Sequence, residues 1–253
     1  MQILLANAKI MFGRSEHQPM STPRFQAIAE TFAKEMAGLD IDDMSQLMGC
    51  NRKLAAETVM RYKEFMASDK MPAIMAYNGQ AYKHLQAGTL SNESLKFAQE
   101  HLWITCFLYG MLRPLDGIVP YRMEHTVSLR ASDDIPMNRF WRERLTTVLT
   151  DSVTDDDGTL IHLSTGEYEQ LFNWKEVCRN VKVIQPLFYI RKSNGELKMQ
   201  AVWAKACRGA MTRFIIKNKI TNPDDIKAFA HEGFQYVPQL GEENFPHFVR
   251  EEA

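Results

Sequence analysis

The sequence has few cysteines and no long apolar run, which argues against two classes of protein. Its four cysteines are far apart among 253 residues, and no Cys-x-x-Cys pair occurs. Disulfide-rich secreted domains depend on dense cysteines, so we expect reduced thiols in a cytoplasmic protein.

The longest apolar run, at residues 102–112, is interrupted by Thr105. A membrane-spanning helix needs roughly 20 apolar residues, so we expect no membrane partner. No basic segment precedes the first apolar residues, so we predict no secretory signal.

The sequence also lacks the short motifs that bind metals. Its seven histidines are scattered, and His-x-x-x-His, His-Glu-x-x-His and Asp/Glu-rich metal loops are all missing. Folding could still bring distant ligands together, but the spacing gives no support for such a site. We therefore predict no metal and no cofactor.

Acidic residues are missing from residues 197–223, although the whole chain has a formal net charge of −1. The near-neutral total argues against a nonspecific polycation. Cations, in contrast, are frequent in this acid-free segment: Lys198, Lys205, Arg208, Arg213, Lys217 and Lys219. Such an uneven distribution is typical of a protein that binds a polyanion.

The acid-free segment contains a predicted helix at residues 204–218. Lys205 and Arg208 share one narrow sector of this helix, and Arg213 lies on another side. No glutamate supports these cations through i,i+4 pairs, so we expect bound phosphate to offset their repulsion. The alternative is an ordinary solvated face. Gly209 costs about 1 kcal/mol of helix stability relative to Ala, which indicates close approach of a ligand or another backbone.

A second candidate DNA contact is the segment at residues 47–55, between two predicted helices. Gly49 matches the first glycine of a helix-hairpin-helix turn, and Asn51 replaces the second. Asn tolerates a left-handed backbone and is a good helix N-cap. The helix N-terminus, with Arg52 and Lys53, could bind one phosphate. A plain turn between two helices uses the same capping residues, so both interpretations stay open on this segment alone.

Two arginines flank a turn marked by a proline. Pro114 cannot continue a helix and pushes Arg113 out of the α region, which places Arg113 at an element end. Arg122 follows on the other side of the turn. The alternative is a helix stop followed by an edge strand with ordinary surface arginines.

Residues at element ends can converge on one cleft that suits a nucleic acid or nucleotide. The candidates are Lys9, Tyr77, Arg113, Tyr121, Arg122, Glu124 and Tyr168. Glu124 or Glu167 could be an acid or base and Lys9 a nucleophile, but no nucleophile–base grouping is visible. The alternative for Glu124 is a salt bridge to Arg122 or Arg113.

Hydrophobic periodicity predicts a mixture of helices and strands. Strands are expected at residues 1–6, 72–77, 121–129 and 160–163, and helices at residues 23–36, 41–48, 52–65, 94–112, 140–149 and 204–218. The strongest local signal is a hairpin of residues 181–191 with 197–203, joined through Asn194-Gly195. Because no repeat or linker interrupts the chain, we predict a single α+β domain over residues 1–253, with a mixed sheet and packed helices.

The chain resembles the family of the bacterial peroxide stress protein YaaA along nearly its whole length. The matching segments are Leu4 to Lys9, Tyr77-Asn78-Gly79, residues 97–124, Phe140-Trp141, Leu163-Ser164, Glu167-Tyr168, residues 204–216 and Glu232-Gly233-Phe234. The resemblance implies a cytoplasmic protein of the oxidative-stress response that binds DNA and limits damage from free iron. It also implies a helix-hairpin-helix element, at about residues 41–65. The chain departs from the family at Asn7-Ala8, where the family has Ser-Pro.

We therefore predict a protein that holds duplex or distorted DNA through backbone phosphates. The expected DNA-binding residues are Gly49, Asn51, Arg52, Lys53, Lys9, Arg113, Arg122, Lys205, Arg208 and Arg213. In particular, we expect Lys9, Arg113, Arg122, Lys205 and Arg208 to converge on one groove. The alternative is an enzyme that acts on a nucleobase or nucleotide in the same cleft, and a third possibility, from the resemblance alone, is an iron-sequestering protein. Oligomeric state and catalytic residues stay open.

Overall fold

The computed structural model describes residues 1–13, 15 and 17–252. The helices are α1 (Gln26–Ala37), α2 (Ile41–Met48), α3 (Arg52–Lys63), α4 (Ala73–Ala76), α5 (Gln80–Leu85), α6 (Asn92–His101), α7 (Met137–Phe140), α8 (Arg142–Thr154), α9 (Gly166–Glu169), α10 (Trp174–Asn180) and α11 (Ala201–Asn218). The strands are β1 (Gln2–Ala6), β2 (Met71–Pro72), β3 (Leu102–Cys106), β4 (Gly110–Leu112), β5 (Gly117–Ile118), β6 (Thr159–Leu163), β7 (Lys182–Ile184), β8 (Leu187–Arg191), β9 (Leu197–Lys198), β10 (Ala230–His231), β11 (Phe234–Glu242) and β12 (Phe245–Glu251). Short 3₁₀ turns occupy Ala87–Thr89, Arg130–Ser132 and Pro223–Ala228.

The first sheet, called here the parallel sheet, has the strand order β4-β3-β1-β6-β7. Strands β3, β1, β6 and β7 run parallel, and β4 runs antiparallel to β3. The central strands β1, β3 and β6 are buried along nearly their whole length, as expected of a parallel sheet covered on both faces. The carboxyl ends of β1, β3 and β6 therefore meet at one edge.

The second sheet, called here the C-terminal sheet, has the order β10-β11-β12-β8-β9. It contains the predicted hairpin: β8 pairs antiparallel with β9, and Lys192 donates to the carbonyl of Glu196 at 2.9 Å. Gly195 adopts a φ of +85° in this turn, which suits Gly. The predicted strand at residues 181–191 is divided, because its first part is β7 of the parallel sheet. The partner strand expected at residues 197–203 is too long, because β9 ends at Lys198 and α11 begins at Ala201. A third, two-stranded pairing joins β2 to β5.

Helix α11 packs closely on α5. A Cβ atom at Gly209 would lie 1.8 Å from the carbonyl oxygen of Ala81, so only Gly fits this crossing. The expectation of a close backbone approach at Gly209 is thus confirmed. One contiguous cluster of buried hydrophobic residues includes Ile3 of the parallel sheet, Met211 of α11 and Phe248 of the C-terminal sheet.

The α+β class with mixed sheets and packed helices is confirmed, but three predicted elements are wrong. Helix α6 ends at His101, and residues 102–112 form β3 and β4 instead of a helix. Most of the strand expected at residues 72–77 is α4. Residues 121–129 form a loop whose alternate side chains are buried against the core, so the alternation reflects burial and not sheet pairing. In the described ranges, no helix is long and apolar enough to span a membrane.

Candidate functional site

A cavity of about 600 Å³ opens at the carboxyl ends of β1 and β6. From β1 the chain passes to β3 on one side and later to β6 on the other, so the strand order reverses here. Open α/β sheets bind ligands at such a switch point. We call this cavity the strand-end cleft; its lining includes Asn7, Lys9, Gln80, Tyr82, Thr165, Glu167, Tyr168, Lys205 and Arg208.

Asn7 organises the floor of the strand-end cleft. Its side-chain oxygen accepts a hydrogen bond from the Tyr168 hydroxyl, and its Nδ2 donates to Tyr121 Oη at 3.1 Å. The Tyr121 hydroxyl in turn lies 2.8 Å from Tyr77 Oη. Burial raises the pKa of Tyr77 and of Tyr121 well above 10, so both stay neutral donors at neutral pH. Here the amide of Asn7 orients the tyrosines.

A carboxylate shared by two cations lies at the mouth of the cleft. Glu124 accepts from Lys9 Nζ through Oε2 and from Arg122 through Oε1, both at 2.6 Å. Only 12% of the Glu124 side chain is exposed, whereas half of the Lys9 side chain is. The salt bridge expected between Glu124 and Arg122 is confirmed. Because both cations share one carboxylate, this group carries a single net positive charge.

Helix α11 contributes the remaining cations of the cleft. Lys205 and Arg208 lie three residues apart, and both line the cavity. For neither does the described part of the chain offer an aspartate or glutamate oxygen within 4.0 Å. Burial lowers the pKa of Arg208, and Glu169 partly offsets this effect. Close by, Glu169 Oε1 lies 2.9 Å from Nε2 of the buried His162. Lys205 and Arg208 are thus the cations best placed to bind an added anion.

The expectation that Arg113 converges with these cations is wrong. Arg113 donates to Gln2 Oε1 at 3.1 Å and to the carbonyl of Leu102 at 3.3 Å, and it lies 3.5 Å above the Trp103 ring. These partners are at the amino end of the parallel strands, opposite the strand-end cleft. The reason is the direction of β4: because it runs antiparallel to β3, the residue that follows it lies at the other edge.

Arg213 also faces away from the strand-end cleft. Its guanidinium donates to the backbone carbonyls of Leu85 and Gln86, both at 3.0 Å, at the end of α5. This contact caps a helix C-terminus, where a positive charge is favourable. Arg213 therefore helps to hold α5 against α11.

The segment at residues 47–55 joins α2 to α3 by an exposed turn. Gly49 adopts a left-handed conformation with a φ of +58°, and the Asn51 side chain accepts from the backbone N–H of Leu54 at 2.9 Å. Arg52 forms an ion pair with Asp42. The predicted exposed turn and the cap at Asn51 are confirmed. A plain turn between helices has the same geometry, so it does not identify a helix-hairpin-helix element.

The turn and the strand-end cleft are separate surfaces. Near the far end of α3, the Tyr62 hydroxyl donates to the carbonyl oxygen of Arg122 at 2.6 Å. Ten residues separate Arg52 from Tyr62, which corresponds to about 15 Å along the helix axis. The two surfaces would therefore have to contact different parts of one ligand.

Sequence reasoning missed part of the cleft. Gln80 and Thr165 line it, although neither was a candidate. Their positions in the sequence could have identified them, because polar residues just after a turn or strand often line a cleft. Gln80 follows the turn at Asn78-Gly79, and Thr165 lies just after β6. Gly79 is required here, because a Cβ atom would lie 2.6 Å from Ala8 Cβ.

The chain matches the family model described as peroxide stress protein YaaA over residues 1–240. It is 42% identical over 246 residues to a UPF0246 protein of Parabacteroides distasonis, covering 96% of each chain. It is 41% identical over 240 residues to a UPF0246 protein of Phocaeicola vulgatus, covering 93% of this chain and 94% of the relative. A UPF0246 protein of Porphyromonas gingivalis is 36% identical over 256 residues, covering 99% of this chain and 100% of the relative.

Proposed function

The chain belongs to the peroxide stress protein YaaA family, and on that premise we propose that it is a DNA-binding protein of the peroxide stress response. It holds DNA through backbone phosphates at the strand-end cleft. The observation that carries this proposal is the pair Lys205 and Arg208, which line the cleft and have no carboxylate within 4.0 Å among the described residues. Unpaired cations one helical turn apart can each bind one phosphate.

The paired cations strengthen this surface less. Lys9 and Arg122 already share Glu124, and Glu167 also lines the cleft. Phosphate would have to compete with the Glu124 carboxylate for both Lys9 and Arg122. We therefore expect about two strong phosphate contacts at the cleft and little dependence on DNA sequence, because phosphate contacts carry no base information.

The turn between α2 and α3 provides a second contact. Its backbone N–H groups at the start of α3, with Lys53 exposed beside them, suit one phosphate. Arg52 contributes less, since Asp42 already pairs with it. One turn of B-DNA spans about 34 Å, so a single duplex can reach a turn and a cleft about 15 Å or more apart.

A second candidate function is catalysis on a nucleobase or nucleotide. The observation that favours it is the shape of the cleft, whose volume of about 600 Å³ lies within the range of small-molecule sites. Its wall includes Tyr82 and Tyr168, which are largely buried and offer a base drawn out of the helix a small aromatic contact. Two carboxylates are candidates to act on such a base: Glu167, which lines the cleft, and Glu124, which pairs with Lys9 beside it.

The test is the salt dependence of DNA affinity. Wild type and a Lys205→Gln/Arg208→Gln variant are titrated with duplex, bubble and junction DNA at several salt concentrations. Each lost phosphate contact lowers the slope of log affinity against log salt by about 0.9, so the double variant should lose roughly 2. The matched control is Lys198→Gln/Lys217→Gln, which removes the same charge from exposed positions of the acid-free segment outside the cleft.

The outcomes separate the two functions. An unchanged slope in a folded Lys205→Gln/Arg208→Gln variant, or an equal loss in the control, would contradict phosphate binding at the cleft. Lys53→Gln then tests whether the turn binds by itself. Analysis of the same mixtures for released base or cleaved strand tests catalysis, and multiple turnover that Glu167→Gln or Glu124→Gln abolishes would support the enzyme.

A further inference from the structure

Two histidines and a glutamate from distant parts of the chain meet between α5 and the turn that joins β10 to β11. His84 Nδ1 lies 3.1 Å from His231 Nε2, and His231 Nε2 lies 3.8 Å from Glu232 Oε1. All three ligand atoms lie within 4.8 Å of one another. Both histidines line a hollow of about 380 Å³, and Glu232 is exposed, so an ion can enter from solvent. Within residues 1–13, 15 and 17–252, no other group of three such side chains is as close.

We propose that His84, His231 and Glu232 bind one divalent transition-metal ion of the Zn²⁺ type, with water completing its coordination. Two nitrogens bound to a tetrahedral zinc at about 2.0–2.1 Å lie about 3.3 Å apart. The two ring nitrogens here are 3.1 Å apart in hydrogen-bond contact, so an ion would replace this hydrogen bond and both rings would turn towards it with little change in their separation. Two imidazoles and a carboxylate suit zinc or ferrous iron better than Mg²⁺ or Ca²⁺, which prefer oxygen ligands.

The backbone at Glu232 is a second, independent observation. Glu232 and Gly233 have φ values of +47° and +85°, and the two residues form the turn between the paired His231 and Phe234. Two-residue turns with both φ values positive prefer Asn-Gly or Asp-Gly, and glutamate is disfavoured there. A disfavoured residue at a strained position is a feature of functional sites. Here the strained position holds a carboxylate beside His231.

A neighbouring amide can fix the orientation of the first ligand. Gln80 Nε2 lies 3.4 Å from His84 Nε2, on the ring edge opposite the nitrogen that faces His231. With metal on Nδ1, the Nε2–H of His84 would donate to the amide oxygen of Gln80 after a flip of that side chain. Arg213 does not compete with the ion, because its guanidinium is directed to the carbonyls of Leu85 and Gln86.

The proposed ion would tie α5 to the edge of the C-terminal sheet. Gln80 belongs to both surfaces, since it lines the strand-end cleft and contacts His84. The metal site is nevertheless independent of the proposed DNA binding, because none of its three ligands lines that cleft.

The experiment uses the full chain after removal of metal by a chelator. We expect calorimetry to show one Zn²⁺ bound per chain. Bound Co²⁺ should give visible absorption bands that disappear when Zn²⁺ is added and persist when excess Mg²⁺ is added. His84→Ala and His231→Ala should each weaken Zn²⁺ binding at least about tenfold. The matched control is His125→Gln, since His125 lies 3.4 Å from Glu167 but has no third ligand among the described residues. It should bind Zn²⁺ as tightly as wild type.

Glu232→Asn separates a ligand from a merely structural residue. Asn is favoured in this turn, so the metal-free variant should melt at the same temperature as wild type or higher. Its Zn²⁺ affinity should fall, and the rise in melting temperature on adding Zn²⁺ should shrink. The proposal is overturned if wild type binds no stoichiometric Zn²⁺, or if folded Glu232→Asn binds it unchanged. Equal losses in His125→Gln would overturn it as well.

Discussion

Arg113 and Arg208 show how surroundings decide the role of an arginine. Arg113 donates to Gln2, to two backbone carbonyls and to Ser152, and burial lowers its pKa to about 10. These partners leave little capacity for an outside ligand. Arg208 is also largely buried, but no carboxylate oxygen lies within 4.0 Å of it in the described ranges. The first residue is structural, and the second is available to an anion.

Replacing Arg113 should therefore cost stability and leave DNA binding unchanged. Arg113→Gln removes a buried charge from satisfied acceptors, so we expect the free energy of unfolding to fall by about 2–4 kcal/mol. Urea denaturation measures this change. Arg24→Gln is the control, because Arg24 is exposed and lines, together with Arg113, a surface hollow at the amino end of the parallel strands. A salt slope for DNA that falls in Arg113→Gln but not in Arg24→Gln would contradict the structural role.

His162 should make stability depend on pH. Burial lowers the pKa of His162 below its usual 6.5, and the hydrogen bond to Glu169 offsets this only in part. The unfolded chain therefore binds a proton before the folded chain does, so this contribution is full above pH 6.5 and is lost as pH falls below it. We expect a loss of up to about 1.4 kcal/mol per pH unit between pH 6.5 and 5. Urea denaturation at several pH values measures the free energy of unfolding, which should fall less steeply with pH in His162→Gln than in wild type. An equal pH dependence in the two proteins would contradict the prediction.

At the scale of single elements, turn residues predict the structure correctly, whereas continuous apolar runs do not. The turn between α2 and α3 and the hairpin of β8 with β9 both follow from Gly and Asn in tight turns. The second half of the helix expected at residues 94–112 forms β3 and β4 instead. A strand that is buried on both faces is a continuous apolar run, and periodicity cannot distinguish it from a buried helix.

The crossing of α11 and α5 depends on Gly209. In Gly209→Ala the new Cβ would lie 1.8 Å from the carbonyl oxygen of Ala81, so the helices must separate. We expect a loss of about 1–3 kcal/mol in the free energy of unfolding, because overpacking outweighs the better helix propensity of Ala. Gly166→Ala is the control, since a Cβ there has no atom within 4 Å. If thermal melting shows Gly209→Ala to be as stable as Gly166→Ala, the close packing is wrong.

At the scale of the whole molecule, the sequence predicted which residue types would form the cleft but not which edge each would reach. Lys9 and Tyr168 follow parallel strands, and both lie at the carboxyl edge. Arg113 follows the antiparallel β4 and lies at the other edge. Strand direction is a tertiary property that local patterns do not contain. The same holds for His84 and His231, which are 147 positions apart in the chain.

The joint burial of both sheets leads us to propose that the chain unfolds as one cooperative unit. Side chains of the parallel sheet, α11 and the C-terminal sheet belong to one contiguous hydrophobic cluster. Trp103 donates to Ser152 beside the parallel sheet, and Trp203 lies against Phe234 of the C-terminal sheet. With fluorine-labelled tryptophans, both resonances should lose native intensity at the same urea concentration. Separate midpoints would instead mean that the C-terminal sheet with α11 forms its own unit. The single domain expected over residues 1–253 would then be wrong.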